Sequence, residues 1–379
     1  MVTVLIVDDS AFIRRSLTNI LEQDKDICIV ATGKNGEEAV ELVRKHDPDV
    51  VTMDVEMPRM DGLSALKIIM EENPCPVIMV SSLTSEGADT TLKALELGAS
   101  DFMPKLNAGA LTDMSKIAAE LSSKVKALAR RKPFLRLLHK KKSLLGGSGQ
   151  ARPRIAGAGA AACSAAQAAG RDFAAGNYKR PVPEIKGRPA FDAVAIGVST
   201  GGPPAVQKVL SALPADFPVP IVIAQHMPAA FTGPFAKRLD GLCSISVVEA
   251  QGTEKMRPGT AYVCPGGRHV RIENRGALLC VVGDDPKEAL YKPSANVLFE
   301  SLGKALGRRG LGVTLTGMGS DGLEGTKALK QAGGRALAQS EVSCVVYGMP
   351  KAIVDAKLAD EIIDLDDMAT AIVCNLCPA

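Results

Sequence analysis

Short apolar runs alternate with amphipathic stretches along most of the chain. TVLIVDD is an apolar run that stops on two acids, and SAFIRRSLTNILEQ behind it has helical apolar spacing, with Ser10 placed to cap its N-terminus. ICIVATG, PDVVTMDV, PVIMVSS and the ASDFMPK region predict further strands. GEEAVELVRKH, GLSALKIIMEE and ADTTLKALELG predict the helices between them, and an apolar helix from about Leu111 to Leu128 completes the unit. Such alternation implies a parallel sheet covered on both faces.

The pattern then stops. From about Arg130 to Ala190 the chain is rich in Ala, Gly, Pro and basic residues, with RIAGAGAAACSAAQAAGRDFAAG at its centre. Such a stretch cannot bury enough apolar surface to offset its chain entropy, so it predicts a linker. Alternation resumes at Phe191. FDAVAIGVS, PVPIVIAQH, ISVVEA, TAYVCPG, HVRIEN, LLCVVG, LGVTLTG, GRALAQS and ADEIIDL predict strands; AVQKVLSAL, FTGPFAKRLDG, SANVLFESLGKAL and GLEGTKALKQAG predict helices. Residues 245 to 283 have antiparallel hairpin character. The expected fold class is therefore α/β, with two doubly wound, mainly parallel-sheet domains over residues 1–128 and 191–379, joined by a flexible linker over 129–190.

Composition narrows the function. At 379 residues, two domains are the natural expectation. A net charge of +3 and the absence of Trp argue against nucleic acid as the partner. No apolar run approaches the roughly 18 residues of a spanning helix, and MVTVLIVDDS lacks a basic leader, so the chain is expected to be cytoplasmic and not inserted in a membrane. The 9 cysteines are odd in number and irregularly spaced, which suits reduced thiols. Cys374 and Cys377 form a lone CxxC without the second ligand pair that a closed zinc site needs.

Two sets of residues carry candidate chemistry. In open parallel sheets, function gathers at the carboxyl ends of strands. Asp8 and Asp9, Asp54, Ser81 and Lys105 all fall at such ends. Clustered carboxylates repel one another, and a hard cation such as Mg²⁺ relieves that repulsion. A lysine beside them suits a phosphate oxygen, and Asp54 is placed to be a nucleophile forming an acyl phosphate. Each acid taken alone also reads as a helix cap.

The second set begins with IGVSTGGPPAV, residues 196 to 206. Ser199 falls on a strand-to-helix turn and satisfies G-x-S-x-G, although such a turn could equally cradle a phosphate. A serine nucleophile needs a base, and the chain has 4 histidines: His46, His139, His226 and His269. His226 ends a strand of the same kind as Ser199's and is the better base by position. His269 is the rival, or a residue behind the base, or a bland strand histidine. GVTLTGMGSDG ends a third strand in a glycine-rich loop, where Asp321 could orient the histidine or merely cap the next helix. An N–H of that loop, such as that of Met318, could serve an oxyanion. The chain order Ser…His…Asp excludes the α/β-hydrolase fold, whose order is Ser…Asp…His.

VLIVDDS, TMDVEMPRMDG, MVSS and FMPK resemble the receiver domain of two-component response regulators, a flavodoxin-like fold. AIGVSTGGP, QHMPAAFTGPFAKRL, YVCPGGRHVRI, LTGMGSDG and VVYGMPKAIV look like the effector domain of the chemotaxis protein-glutamate methylesterases, the CheB family. The resemblance covers nearly the whole chain, failing only in the linker. It implies that Asp54 accepts phosphate from a histidine kinase, with Mg²⁺ held by Asp8, Asp9, Asp54 and the backbone carbonyl of Glu56. It implies that Ser81 and Lys105 contact the phosphoryl group and that Phe102 is the aromatic switch. For the effector it implies hydrolysis of glutamate γ-methyl esters, and deamidation of selected glutamines, on the cytoplasmic helices of chemoreceptors. Ser199, His226 and Asp321 would do this without a cofactor, with backbone N–H groups near Thr200 and Met318 holding the oxyanion. The receiver would cover this site until Asp54 is phosphorylated. A DNA-binding output is disfavoured, since no helix-turn-helix pattern follows the linker; a non-catalytic adaptor remains the competing reading.

Overall fold

The computed structural model describes residues 1–82, 84–105, 114–137 and 187–377. Its first sheet contains β1 (Val2–Val7), β2 (Ile27–Gly33), β3 (Val50–Asp54), β4 (Val77–Ser81) and β5 (Asp101–Pro104), in the order β2-β1-β3-β4-β5. All neighbouring strands are parallel. Strands β3 and β4 are buried along their whole length, which is why they read as continuous apolar runs rather than alternating ones. Helices α1 (Ala11–Leu21), α2 (Gly36–His46), α3 (Gly62–Glu72), α4 (Ser85–Glu96) and α5 (Met114–Ala129) cover the sheet. Ser10 caps α1 by accepting the N–H of Ile13. The strand order is that of flavodoxin-like folds, which bind at the carboxyl edge beside β1 and β3.

The second sheet contains β6 (Ala193–Val198), β7 (Ile221–Gln225), β8 (Ser246–Glu249), β10 (Thr260–Val263), β13 (Gly310–Thr314), β14 (Arg335–Gln339) and β15 (Glu361–Ile363), in the order β15-β14-β13-β6-β7-β10-β8. Every pairing within it is parallel. A separate antiparallel sheet, β11-β12-β9, is made by β9 (Thr253–Lys255), β11 (His269–Asn274) and β12 (Leu278–Gly283). The hairpin character expected over residues 245 to 283 is thus split. The apolar, buried β10 joins β7 in the parallel sheet, while the polar β9 pairs with β12.

Helices α6 (Gly202–Leu210), α7 (Ala229–Asp240), α8 (Ala295–Leu306), α9 (Leu323–Gln331), α10 (Met349–Asp355) and α11 (Met368–Leu376) complete the unit. Neither α10 nor α11 was expected from the pattern. The α11 segment MATAIVCNL is almost uniformly apolar, so it shows no helical period, yet it buries Met368, Ala369, Ile372, Val373 and Leu376. The chain lays β6, β7, β10 and β8 toward one edge, then returns to lay β13, β14 and β15 on the other side of β6. The reversal between β6 and β13 is where doubly wound sheets open a crevice.

The two units touch. The Phe102 ring of β5 lies 4.6 Å from that of Phe231 in α7, centroid to centroid. Glu96 of α4 accepts from Arg238 Nε of α7 at 2.7 Å. Past α5, residues 132–137 are helical, and Lys132 pairs with Asp47 at 3.0 Å. Of the expected linker, residues 138–186 lie outside the described residues, as do 111–113 of the helix expected before it. Among the described residues no helix is long and apolar enough to cross a membrane.

Phe231 is fully buried. Phe231→Ala should therefore cost about 3–5 kcal/mol through lost contacts and the cavity left behind. A lowered urea midpoint checks this; an unchanged midpoint would contradict the packing described.

Candidate active site

The first cluster lies at the carboxyl edge of the five-stranded sheet. Asp8 and Asp9 follow β1, Asp54 ends β3, Ser81 ends β4 and Lys105 follows β5. Oxygens of Asp8, Asp9 and Asp54 lie within 4.8 Å of one another. Lys105 Nζ donates to Asp54 Oδ2 at 2.6 Å, and Asp54 is 1% exposed. Burial, helped by the Asp8 charge, pushes the Asp54 carboxyl up to about 6, even though Lys105 and the Glu56 N–H pull it down. Burial likewise raises Asp8. Asp8 Oδ2 is buried without a hydrogen-bond partner. Crowded, under-satisfied carboxylate oxygens beside a strand edge fit a hard divalent cation, and Asp8, Asp9 and Asp54 could hold it.

Ser81 is turned away from this cluster. Its hydroxyl donates to the carbonyl of Gly87 in α4 at 3.2 Å. Phe102 is buried against Phe231 rather than exposed.

The second cluster sits on three neighbouring strands of the larger sheet. Val198 of β6 is in register with Gln225 of β7, and Gly197 with Thr314 of β13. Ser199 and His226, each one residue past its strand, are therefore side by side, and the loop after β13 lies on the other flank of Ser199. The His226 N–H donates to the Val198 carbonyl at 3.0 Å, and the Ser199 N–H to the Thr316 carbonyl at 3.0 Å. Gly317 must be glycine, because a Cβ there would stand 2.8 Å from Ser199 Cβ.

His226 Nε2 and Asp321 Oδ2 are 2.8 Å apart. Asp321 also accepts from Ser294 Oγ (2.9 Å) and from the backbone N–H groups of Ala295 (2.6 Å) and Asn296 (3.1 Å), at the start of α8. Burial opposes its charge, but the hydrogen bond and charge of His226 and those N–H groups outweigh it and hold the carboxyl below its ordinary range. With the carboxylate accepting, Nε2 carries the proton and Nδ1 is left as the acceptor. Nδ1 has no partner among the described residues. Ser199 Oγ makes no hydrogen bond among them either, to His226 or otherwise. Both residues line one cavity of ≈ 690 Å³, together with Thr200, Met318 and Tyr291. The N–H groups of Thr200 and Met318 donate no hydrogen bond among the described residues, so both are available to an oxyanion.

His269 is buried in β11 with Nε2 3.2 Å from the Pro286 carbonyl, and takes no part in the Ser199 cluster. His46 ends α2, and His139 lies outside the described residues. Several residues of the site carry no motif signal. Gln225 Nε2 donates to the carbonyls of both Ser199 and His226 at 3.1 Å, tying the two turns together. A buried glutamine ending an apolar strand was the available clue. Asp101 of β5 accepts from Thr200 Oγ1 at 2.9 Å, and Lys124 of α5 pairs with the same Asp101 oxygen at 2.9 Å. Nothing local in the sequence marks that contact, because it forms between units.

A receiver sheet joined to a second α/β sheet whose strand ends gather a serine, a histidine and an aspartate defines a class: hydrolases coupled to a receiver. The sequence model of CheB methylesterases matches residues 194–372, and that of response regulator receiver domains matches residues 4–115. A protein-glutamate methylesterase/protein-glutamine glutaminase of Oleidesulfovibrio alaskensis is 60% identical over 98% of this chain and 98% of its own. Relatives of that name in Nitratidesulfovibrio vulgaris (58% identical, 99% of this chain, 100% of the relative) and Lawsonia intracellularis (52%, 97% and 98%) are similar throughout. The chain belongs to the CheB family: it is an enzyme with a receiver domain, a protein-glutamate methylesterase of the carboxylic ester hydrolases with protein-glutamine glutaminase activity.

Asp321→Asn should lower kcat by about 10⁴, since an amide no longer fixes the imidazole tautomer. A steady-state assay checks this, and a rate within tenfold of wild type would contradict it. Because the folded-state carboxyl of Asp321 is held below its unfolded value, its stabilising contribution is present above the unfolded pKa and lost as pH falls through the folded one. Urea midpoints across the acid range should therefore decline less steeply for Asp321→Asn than for wild type. At Gly201, φ is +74° and a Cβ would stand 2.4 Å from Val345 Cβ. Gly201→Ala should displace the Ser199 turn and lower activity by about a hundredfold, checked by the same assay.

Proposed function

We propose that this enzyme, working in the cytoplasm, is switched on by phosphorylation and removes γ-methyl esters from glutamates on chemoreceptor helices, and deamidates selected glutamines there, as the adaptation step of chemotaxis. The observation that carries this reading is the shared cavity, in which Ser199, His226 and Met318 of one unit face Asp101, Phe102, Glu120 and Lys124 of the other. Chemistry and regulation then concern the same space.

Ser199 Oγ attacks the γ-carbonyl carbon while its proton passes to His226 Nδ1, the ring nitrogen not engaged by Asp321. The N–H groups of Thr200 and Met318 stabilise the oxyanion; one such donor is worth about 2.7–4 kcal/mol of barrier. His226 returns the proton to the leaving group, and methanol or ammonia departs, leaving an acyl-serine. Water attacks in turn, His226 taking its proton, and releases glutamate and free Ser199. The open gap between Ser199 Oγ and Nδ1 is usual for catalytic groups before substrate binds.

For regulation, Asp54 takes the phosphoryl group of a chemotaxis histidine kinase: the Asp54 O–P bond forms as the histidine N–P bond breaks. Asp8, Asp9, Asp54 and the Glu56 carbonyl would hold Mg²⁺, which would supply charge neutralisation for the phosphoryl oxygens. Lys105 exchanges its present partner, the Asp54 carboxylate, for a phosphoryl oxygen, and Ser81 leaves the Gly87 carbonyl to donate to another. That shift draws Phe102 away from Phe231 and loosens the Asp101–Thr200 contact over the site. Phosphorylation adds about −1.5 to −2 charge, enough to bias such a two-state face.

Methanol release from methylated receptor tests the proposal. Wild type should be stimulated by a phosphodonor, Ser199→Ala should be inactive with or without it, and Asp54→Asn should keep basal activity but lose the stimulation. Full activity of Ser199→Ala would refute the serine mechanism. Undiminished stimulation of Asp54→Asn would refute the switch.

A further inference from the structure

The hydrogen bond to Asp321 pins His226 at one atom, Nε2. It does not by itself fix the plane of the ring, because the imidazole can still swing about that contact. The Tyr291 ring lies against it, centroids 4.4 Å apart and planes 10° from parallel. Tyr291 is placed from two sides. Its Oη lies 3.2 Å from where a Cβ would stand on Gly319, in the loop that carries Met318 and Asp321, and Gly319 itself has φ +82°. Along the chain, Tyr291 leads directly into Ser294, Ala295 and Asn296, the residues whose donors hold Asp321. One continuous stretch, 291–296, thus braces the face of the imidazole and the carboxylate behind it.

We propose that Tyr291 is a positioning residue for His226, setting the plane of the imidazole for proton transfer and favouring the imidazolium that forms during acyl transfer. The face of an aromatic ring carries negative potential and attracts a cation more than a neutral group. Stacking therefore helps most when His226 is protonated, which is when the tetrahedral intermediate exists. The charged and titratable groups in contact with His226 are Asp321 from the β13 loop and Tyr291, and Lys292, Asp101, Glu120 and Lys124 line the same cavity. Burial, then the charges of Asp321 and Glu120, push the Tyr291 phenol up, so its hydroxyl stays protonated and does not compete as a base.

This inference rests on the acyl-transfer reading of the same site, and its test separates the two. The full-length enzyme with a phosphodonor is assayed for methanol release as Tyr291→Phe, Tyr291→Leu and Ser199→Ala. Tyr291→Phe keeps the ring face and should keep wild-type kcat. Tyr291→Leu keeps bulk without a face; its kcat should fall by about a hundredfold with KM unchanged. The acid limb of its kcat/KM profile should move to lower pH, because the imidazolium has lost its support. The position of that limb does not depend on the fraction of molecules folded. The proposal is overturned if Tyr291→Leu retains the wild-type acid limb and kcat, or if Tyr291→Phe loses as much as Tyr291→Leu. If Ser199→Ala stays active, the acyl-transfer reading falls, and this inference with it. If Ser199→Ala is dead while Tyr291→Leu is unimpaired, only this inference fails.

Discussion

A carboxylate held charged away from water is the constraint on which the catalytic unit depends. Asp321 is 5% exposed, and burying an unpaired charge costs several kcal/mol. The cost is offset by donors from four places: the imidazole of His226, the hydroxyl of Ser294, the N–H groups of Ala295 and Asn296 at the start of α8, and the N–H of Gly322. A helix N-terminus is the natural seat for such an anion, since its first N–H groups lack partners within the helix. Asn296 Oδ1 then accepts from the N–H groups of Gly322 and Gly325, which ties the start of α8 to the start of α9. The direction of two helices, the course of the glycine-rich loop and the rotamer of one histidine are therefore settled together.

The proposed control of the site depends on where the units meet. β5 is four residues long. Lys105, just past its end, pairs with Asp54, and Asp101, at its start, holds the hydroxyl of Thr200 beside Ser199. The ion partner of Asp54 and the residue gripping the Thr200 turn are separated by one short strand. Phe102 sits between them and packs across the boundary. In the proposed switch, a change of partner at Lys105 has only this extended segment to cross before it reaches the Thr200 turn.

Much of this was legible in the sequence because it is local. Apolar runs ending on Asp8, Asp54 and Ser81 announce strands whose carboxyl ends carry chemistry, and the two α/β sheets follow from strand–helix alternation. Ser199 and His226 each directly follow a strand and Asp321 lies in the loop after a third, and the register of β6 with β7 and β13 brings these turns together. What the sequence hid is non-local or without a period. Tyr291 lies in an irregular segment, and its contact with His226 arises only when that segment folds over the β7 and β13 loops. Asp101 looks like an ordinary strand-end acid until a second unit presents Thr200. The mixed fate of residues 245 to 283 was hidden because a short strand such as TEK carries too few residues to declare a partner.

The central claim, that Ser199 is the nucleophile activated through His226 and Asp321, is tested most directly by trapping the covalent intermediate. Full-length enzyme with a phosphodonor is mixed with a methylated receptor peptide, quenched in acid during turnover, digested and examined by mass spectrometry. The account predicts an acyl adduct of the peptide on the fragment containing Ser199, which grows with methanol release and is absent in Ser199→Ala. Methanol released at the full rate while that fragment stays unmodified would contradict it.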